Sequence, residues 1–358
     1  MNSTCMISIA GYSGTGKTTL IEKILPELKK QGLNIGIIKH IHHKLAIDVK
    51  GKDTDRFSRA GADFVLAHDA EQGFARYRSN NEDFLDLIKR VPAALDLIIV
   101  EGHKDIDVPG IWLEATAAGK RTGGKGPGSK TLVCRDDQGY QQQVLTYIRH
   151  ELESHHSARP LHAGLLIGGK STRMGTPKSL LKIKGRTLLA RSFDTLSAIA
   201  KKTVLLGPGH LPKSLLCADR LSDIPNVKGP LAGMLSAFRW SPDSAWIISS
   251  VDMPLMHKDA WEWLLSQRKP GIWAVLPKIK GSIGVETTGS VYEPMIFEYV
   301  ESLARCGKAK LQDIAAHPKV ITPLIPRTLA HAWKNVNSPA EWKKVSALCR
   351  KGAYCECP

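Results

Sequence analysis

Long apolar runs are missing from this 358-residue chain. No stretch approaches the roughly 20 residues that a membrane-spanning helix requires. The opening Met1-Asn2-Ser3-Thr4-Cys5 has neither a charged leader nor an apolar core of the export type. A cytoplasmic protein with no membrane partner is therefore expected. Cysteine is sparse and odd in number: seven residues, at Cys5, Cys134, Cys217, Cys306, Cys349, Cys355 and Cys357. Such scatter excludes a disulfide framework, and the Cys-x-Cys at the tail is weak metal spacing at a terminus. Acidic residues are scarce too, 34 against 50 Lys and Arg, for a formal net charge of +16. That excess calls for an anionic partner. Aromatic residues make up only 6% and do not alternate with basic ones in the manner of RNA-recognition segments, and zinc-finger spacing is absent. Nucleotides and a phosphorylated small molecule, rather than nucleic acid, are the expected anions.

Two glycine-rich loops of different design are present, each just after a short apolar run. The first is Gly11-Tyr12-Ser13-Gly14-Thr15-Gly16-Lys17-Thr18-Thr19, preceded by Met6–Ala10. It fits G-x-x-x-x-G-K-[ST] between a strand and a helix. Gly11, Gly14 and Gly16 let backbone N–H groups converge on phosphate oxygens. Lys17 brings charge to the outer phosphates, and Thr18, followed by Thr19, offers a hydroxyl to Mg²⁺. A carboxylate must complete that metal site. Asp96 and Glu101 flank the apolar run 97–100, and Glu101 stands at the carboxyl end, where such sites form. Lys39-His40-Ile41-His42-His43 is a poor metal cluster, since imidazoles at i and i+2 do not share a helix face. A phosphate or pterin contact and an exposed basic turn both remain open for it. The Gly- and Lys-rich stretch 118–128 reads as a loop, either an insertion or a lid.

The second loop, Gly168-Gly169-Lys170-Ser171-Thr172-Arg173-Met174-Gly175-Thr176-Pro177-Lys178, follows Ala163–Ile167 about 150 residues downstream, roughly one α/β domain away. Its glycines bring backbone close to a base and a triphosphate, and Arg173 and Lys178 add two cations. This suits nucleotidyl transfer, in which charge builds on the departing pyrophosphate. The run Trp246–Val251 ends in Asp252-Met253-Pro254, which puts Asp252 at a strand's carboxyl end as the candidate Mg²⁺ ligand. The competing assignment for Asp252 is a helix N-cap.

Apolar runs alternate with amphipathic stretches through both halves. Strands are expected at 6–10, 35–38, 96–100, 131–134, 163–167, 203–206, 246–249 and 273–276, with a helix over Lys17–Lys30. The expected fold is α/β in two domains. Residues 1–152 form an N-terminal P-loop NTPase-like parallel sheet, and 160–358 a doubly wound, Rossmann-like nucleotidyltransferase domain. Residues 151–162 lack periodicity, and 153–159 are read as the linker.

These motifs carry a resemblance. Gly11–Leu20, Lys39–His43, Gly51-Lys52-Asp53-Thr54-Asp55, Ala60-Gly61-Ala62 and Glu101-Gly102-His103-Lys104 resemble the molybdopterin-guanine dinucleotide biosynthesis adaptors (MobB type) over about residues 5–150. That implies GTP binding with weak hydrolysis. Leu166–Gly169, Arg173-Met174-Gly175, Lys178–Leu181, Gly229–Met234, Asp252-Met253-Pro254 and Asn335-Val336-Asn337-Ser338-Pro339 resemble the molybdenum cofactor guanylyltransferases (MobA type) over about 160–345. The second resemblance implies transfer of GMP from GTP to molybdenum-molybdopterin. GTP contacts would come from Leu166, Ile167, Gly168, Gly169, Lys178 and Asp219, with Asp252 holding Mg²⁺ and Asn335 and Asn337 beside the pterin. Proteins of molybdenum insertion and molybdoenzyme chaperoning are the further partners it suggests. The sequence departs from the family pattern at Pro177, where an Asp is usual, and near Gly207, where an Asn is usual. Three alternatives stay open: a cytidylyltransferase of the same pterin, a sugar-phosphate nucleotidyltransferase, and a carrier that binds cofactor without chemistry. Cytidylyl relatives read Ala-Ala-Gly where Ile167-Gly168-Gly169 stands, and the extra glycine leaves room for a purine.

Overall fold

A computed structural model describes residues 4–40, 49–77, 84–102, 106–115, 130–168, 176–307 and 310–350. The first half is built on a parallel sheet. Strand β1 (Cys5–Gly11) leads through the first glycine loop into helix α1 (Lys17–Lys30), which returns the chain to β2 (Ile35–Lys39). A peripheral excursion follows: α2 (Asp53–Arg59), the antiparallel hairpin β3 (Phe64–His68) and β4 (Gly73–Tyr77), and α3 (Phe84–Ile88). The sheet resumes with β5 (Leu97–Glu101), β6 (Gly110–Glu114) and β7 (Thr131–Cys134), and α4 (Tyr140–Ala158) closes the half. The strand order is β2-β5-β1-β6-β7, all parallel. Leu20, Ile21, Ile24 and Leu28 of α1 and Val144, Ile148 and Leu152 of α4 pack with Ile7, Ile9, Leu97 and Ile99 on one face. A smaller cluster of Ala10, Trp112 and Leu132 lies apart from that core.

Two residues, Arg159 and Pro160, then connect α4 to the second sheet. The expected linker over 153–159 is thus mostly helix. Its buried His156 stands one turn beyond Leu152 on the core-facing side, so a polar residue occupies the position that would have shown the periodicity.

The second half begins with β8 (Leu161–Leu166), the small hairpin β9 (Lys182–Ile183) and β10 (Arg186–Thr187), and α5 (Leu188–Ser197). The Thr187 hydroxyl caps α5 by accepting from the Ala190 N–H at 3.3 Å. Strands β11 (Lys202–Leu206) and β12 (Arg220–Leu221) precede α6 (Pro230–Trp240), β13 (Ala245–Ser250) and α7 (Lys258–Leu265). The chain ends with β14 (Ala274–Val275), β15 (Ser290–Tyr292), α8 (Phe297–Arg305), β16 (Val320–Ile321) and α9 (Pro339–Arg350). The sheet order is β12-β11-β8-β13-β15-β14-β16, with β15 running antiparallel to β13 and β14. Alternate residues of its central strands feed two cores, Ala163, Leu165 and Ile247 on one face and Leu166, Trp246 and Ile248 on the other. Successive strands leave β8 first toward β11 and then toward β13, so the order reverses beside β8. Ligand crevices of open α/β sheets form at such a reversal.

Candidate functional site

The first glycine loop closes the carboxyl end of central strand β1. Gly11 has φ +148°, and a Cβ there would stand 2.4 Å from the Leu113 carbonyl oxygen, so only glycine fits between the loop and the neighbouring strand. Gly14 and Gly16 also have positive φ, and Lys17, Thr18 and Thr19 open α1. The Lys17 ammonium folds across the loop, donating to the carbonyls of Gly11 at 3.1 Å and Tyr12 at 2.7 Å. Thr18 donates its hydroxyl to Glu101 Oε1 at 2.7 Å, joining the loop to the carboxyl end of β5. Lys39, the first residue of the basic run Lys39–His43, stands at the end of β2, donates to both Thr18 and Glu101 and is a further cation of this site. Asp96 lies at the opposite end of β5, a strand length away, so Glu101 is the carboxylate beside the loop. His40 follows β2, while Ile41, His42 and His43 lie outside the described residues, as do His103, Lys104 and residues 116–129.

The second site is a crevice of about 720 Å³ over the carboxyl ends of β8 and β13. Leu166, Ile167 and Gly168 line one side, Lys178 and Asp252 another, and Asn335 stands at the rim of the C-terminal segment. Gly169 and Arg173 lie outside the described residues. Lys178 donates to Asn337 Oδ1 at 2.8 Å and approaches Asp252 Oδ2 at 3.5 Å. Asp252 does not cap a helix: α7 starts six residues later, with His257 at its N-cap. Its Oδ1 accepts the Ser250 hydroxyl, and its carbonyl accepts the Val336 N–H at 2.8 Å, which ties the Asn335–Asn337 segment to the end of β13. Asn335 Oδ1 is buried without a hydrogen-bond partner among the described residues.

Asp219 is a correction. Its carboxylate, largely exposed, pairs with Lys202 at the start of β11 at 2.8 Å and so points away from the crevice at the strand's other end. Asp223 is the acid beside Gly207 at the carboxyl end of β11. Gly207 has φ +83°, and a Cβ there would meet Asp223 Oδ1 at 2.9 Å; one on Gly233 would meet Leu166 at 2.9 Å and Asp223 at 3.5 Å. Desolvation pushes the Asp223 carboxyl up from its ordinary range. Arg220 was also missed. It lines the crevice and donates from Nε to the Gly207 carbonyl at 3.1 Å. Glu286, before the crevice-lining Thr287 and Thr288, is a second acid here, its carboxyl pushed up by burial and then by the charge of Asp252. The polar run Glu286-Thr287-Thr288 just before β15 was the one available signal for it.

Among the described residues no group of three or more His, Cys, Asp and Glu is arranged to hold a metal. A hard cation that takes one or two carboxylates and fills its shell with water and phosphate oxygens fits Asp252 in the crevice, and Thr18 with Glu101 at the P-loop. No helix among the described residues is long and apolar enough to cross a membrane.

A family model described as molybdopterin guanine dinucleotide synthesis protein B matches residues 6–125, and one described as a MobA-like NTP transferase domain matches 163–331. Over 114 residues the chain is 38% identical to a molybdopterin-guanine dinucleotide biosynthesis adapter protein of Haemophilus influenzae, covering 31% of this chain and 64% of that one. Over 120 residues it is 36% identical to the adapter of Escherichia coli, covering 32% of this chain and 69% of that one. The chain thus spans about two thirds of the length of these adapter relatives. Over 187 residues it is 29% identical to a probable molybdenum cofactor guanylyltransferase of Deinococcus radiodurans, covering 52% of this chain and 94% of that one. In its first third, therefore, the chain belongs to the molybdopterin-guanine dinucleotide biosynthesis adapter (MobB) family, and its second half is a fused MobA-like nucleotidyltransferase domain.

Proposed function

We propose that the second half transfers GMP from GTP to molybdenum-molybdopterin, forming the guanine dinucleotide cofactor and releasing pyrophosphate, and that the first half, 1–152, is a GTP-binding adapter for this chemistry. The observation that carries the reading is the meeting of Lys178, Asp252 and Asn337, three residues far apart in sequence, over the switch point of the sheet.

In the proposed reaction a terminal phosphate oxygen of the pterin side chain attacks the α-phosphorus of GTP. The new P–O bond forms as the bond from the α-phosphorus to the β-phosphate bridging oxygen breaks, and pyrophosphate carries the electron pair away. The nucleophile is already ionised, so no general base is needed. Lys178 and Arg173 act on the negative charge that grows on the leaving group, each for about 3 kcal/mol of barrier by analogy with single-donor deletions. Asp252 and the triphosphate would hold Mg²⁺, which supplies Lewis-acid charge neutralisation. Asn337, fixed by Lys178, and Asn335, with its unpartnered carbonyl oxygen, face the pterin.

Guanine is favoured on two grounds. A Cβ on Gly168 would meet Pro208 only at ordinary van der Waals distance, 3.5 Å, so packing does not demand glycine there and the space serves a ligand. The Asp223 carboxylate beside Gly207 matches the two N–H donors on the guanine Watson–Crick edge, which cytosine does not present. The test is dinucleotide formation by the purified chain with molybdopterin, Mg²⁺ and either GTP or CTP. Product from GTP and little from CTP is expected. The reverse preference assigns the chain to cytidylyl transfer, and cofactor binding with neither product makes it a carrier.

A further inference from the structure

Asp96 was a candidate carboxylate for the P-loop, yet it points the other way. Buried at the amino end of β5, it accepts the Asn34 backbone N–H at 2.7 Å, the Trp273 indole N–H at 2.7 Å and the Lys319 ammonium at 3.0 Å. Trp273 and Lys319 immediately precede β14 and β16 and belong to the transferase half. Lys319 also donates to the Gly32 carbonyl, and a Cβ on Gly271 would meet Leu33 at 3.2 Å. A second buried cluster lies at the domain connection. Arg159 pairs with Glu293 at 2.7 Å, and Arg268 reaches the same carboxylate at 2.7 Å. Burial pushes Glu293 up, but Arg268 and Arg159 outweigh it and hold the carboxyl below its usual range.

The Asp96 contacts join the amino edge of β2 and β5 in the first sheet to that of β14 and β16 in the second, and Glu293, which follows antiparallel β15 and donates its N–H to the Trp273 carbonyl, lies at that same second edge, with Arg159 just ahead of β8. Both nucleotide loops sit at carboxyl edges. Chain direction imposes the same layout. Helix α4 carries the chain 19 residues back from the P-loop edge, about 28 Å. Only Arg159 and Pro160 intervene, and β8 then runs six residues on, about 20 Å, to Leu166, two residues before Gly168.

We propose that the two halves are locked amino edge to amino edge by the Asp96 and Glu293 clusters, so that the P-loop and the transferase crevice open at opposite ends and neither site completes the other within one molecule. Any cooperation between them then takes place between molecules. This rests on the proposed function only in naming the crevice as the transferase site; the arrangement itself does not depend on which base is transferred.

The test is the distance between spin labels on Asp136→Cys, beside the P-loop edge, and Lys228→Cys, beside the crevice, with Cys217, Cys306, Cys355 and Cys357 replaced by Ser. A single narrow separation above about 35 Å, unchanged by GTP and Mg²⁺, is expected from the helix and strand lengths. Asp96→Ala, and more gently Asp96→Asn, should broaden it while each half keeps its circular dichroism. Dilution should weaken any stimulation of the transferase by P-loop GTP. GTP-driven closure to below about 25 Å, or stimulation independent of protein concentration, overturns the opposed arrangement. An equally narrow distribution in Asp96→Ala overturns the role of Asp96.

Discussion

At the scale of single residues, the crevice divides its polar groups by task. Lys178 stands between Asp252 and Asn337, and in the proposed reaction it serves the triphosphate while holding the pterin side in register. Lys178→Ala and Arg173→Ala should each lower kcat by about 10²–10³-fold while raising the KM for GTP far less, because a cation aimed at developing charge favours the transition state. Steady-state kinetics at saturating GTP checks this; full turnover with only a raised KM would make these residues ground-state clamps. Asp223→Ala should narrow the preference for GTP over ITP, whose base lacks the exocyclic amine, whereas Asp219→Ala, on an exposed ion pair, should leave it unchanged. Equal effects of the two would reject the reassignment. Lys17, Thr18, Glu101, Lys178 and Asp252 could be singled out in the sequence because each abuts a glycine loop or ends an apolar run. Asp223 and Arg220 could not, and Lys39 stood out only as part of a basic run. The first two sit on or beside a two-residue strand, and the way Arg220 and Asp223 turn toward Gly207 is set by its backbone, which leaves no local pattern.

At the scale of elements, most strands read as continuous apolar runs, β1, β5, β7, β8, β11, β13 and β14, are largely buried, while β2, read from its Ile residues, is half-exposed. The hairpin β3–β4, with Phe64 and Leu66 exposed, and the five-residue β6 gave no such run. The end of α4 was hidden by His156, which is buried and held down to about 4, by desolvation first, with Glu293 opposing and Arg268 and Arg159 assisting. The sign of the pH effect follows. Unfolded histidine binds a proton near pH 6.5 and the folded one only near 4, so this contribution is whole above 6.5 and is lost as pH falls toward 4, by up to roughly 3 kcal/mol. Denaturant unfolding at pH 7.5 and pH 5 should therefore differ more in the unsubstituted chain than in His156→Gln; identical pH dependence would contradict the assignment. Glu293→Ala, which removes the buried carboxylate shared by Arg159 and Arg268, should cost about 3–5 kcal/mol in the same experiment.

At the scale of the whole molecule, the proposed function puts two separable activities on the two glycine-rich loops, one on each sheet. Their class and order were legible because each loop follows its own central strand. The two-residue connection was not, since a helix with a polar core position resembles a linker. The most direct measurement is pyrophosphate release from GTP in the presence of molybdopterin by three proteins: the unsubstituted chain, Lys17→Ala and Asp252→Asn. GTP hydrolysis to GDP is followed alongside. Lys17→Ala should lose hydrolysis and keep most of its pyrophosphate release at low protein concentration. Asp252→Asn should keep hydrolysis and lose pyrophosphate release by about 100-fold or more, with extra Mg²⁺ restoring little. Collapse of both activities in either variant would contradict two independent sites, and undiminished pyrophosphate release by Asp252→Asn would remove the transferase crevice from the account.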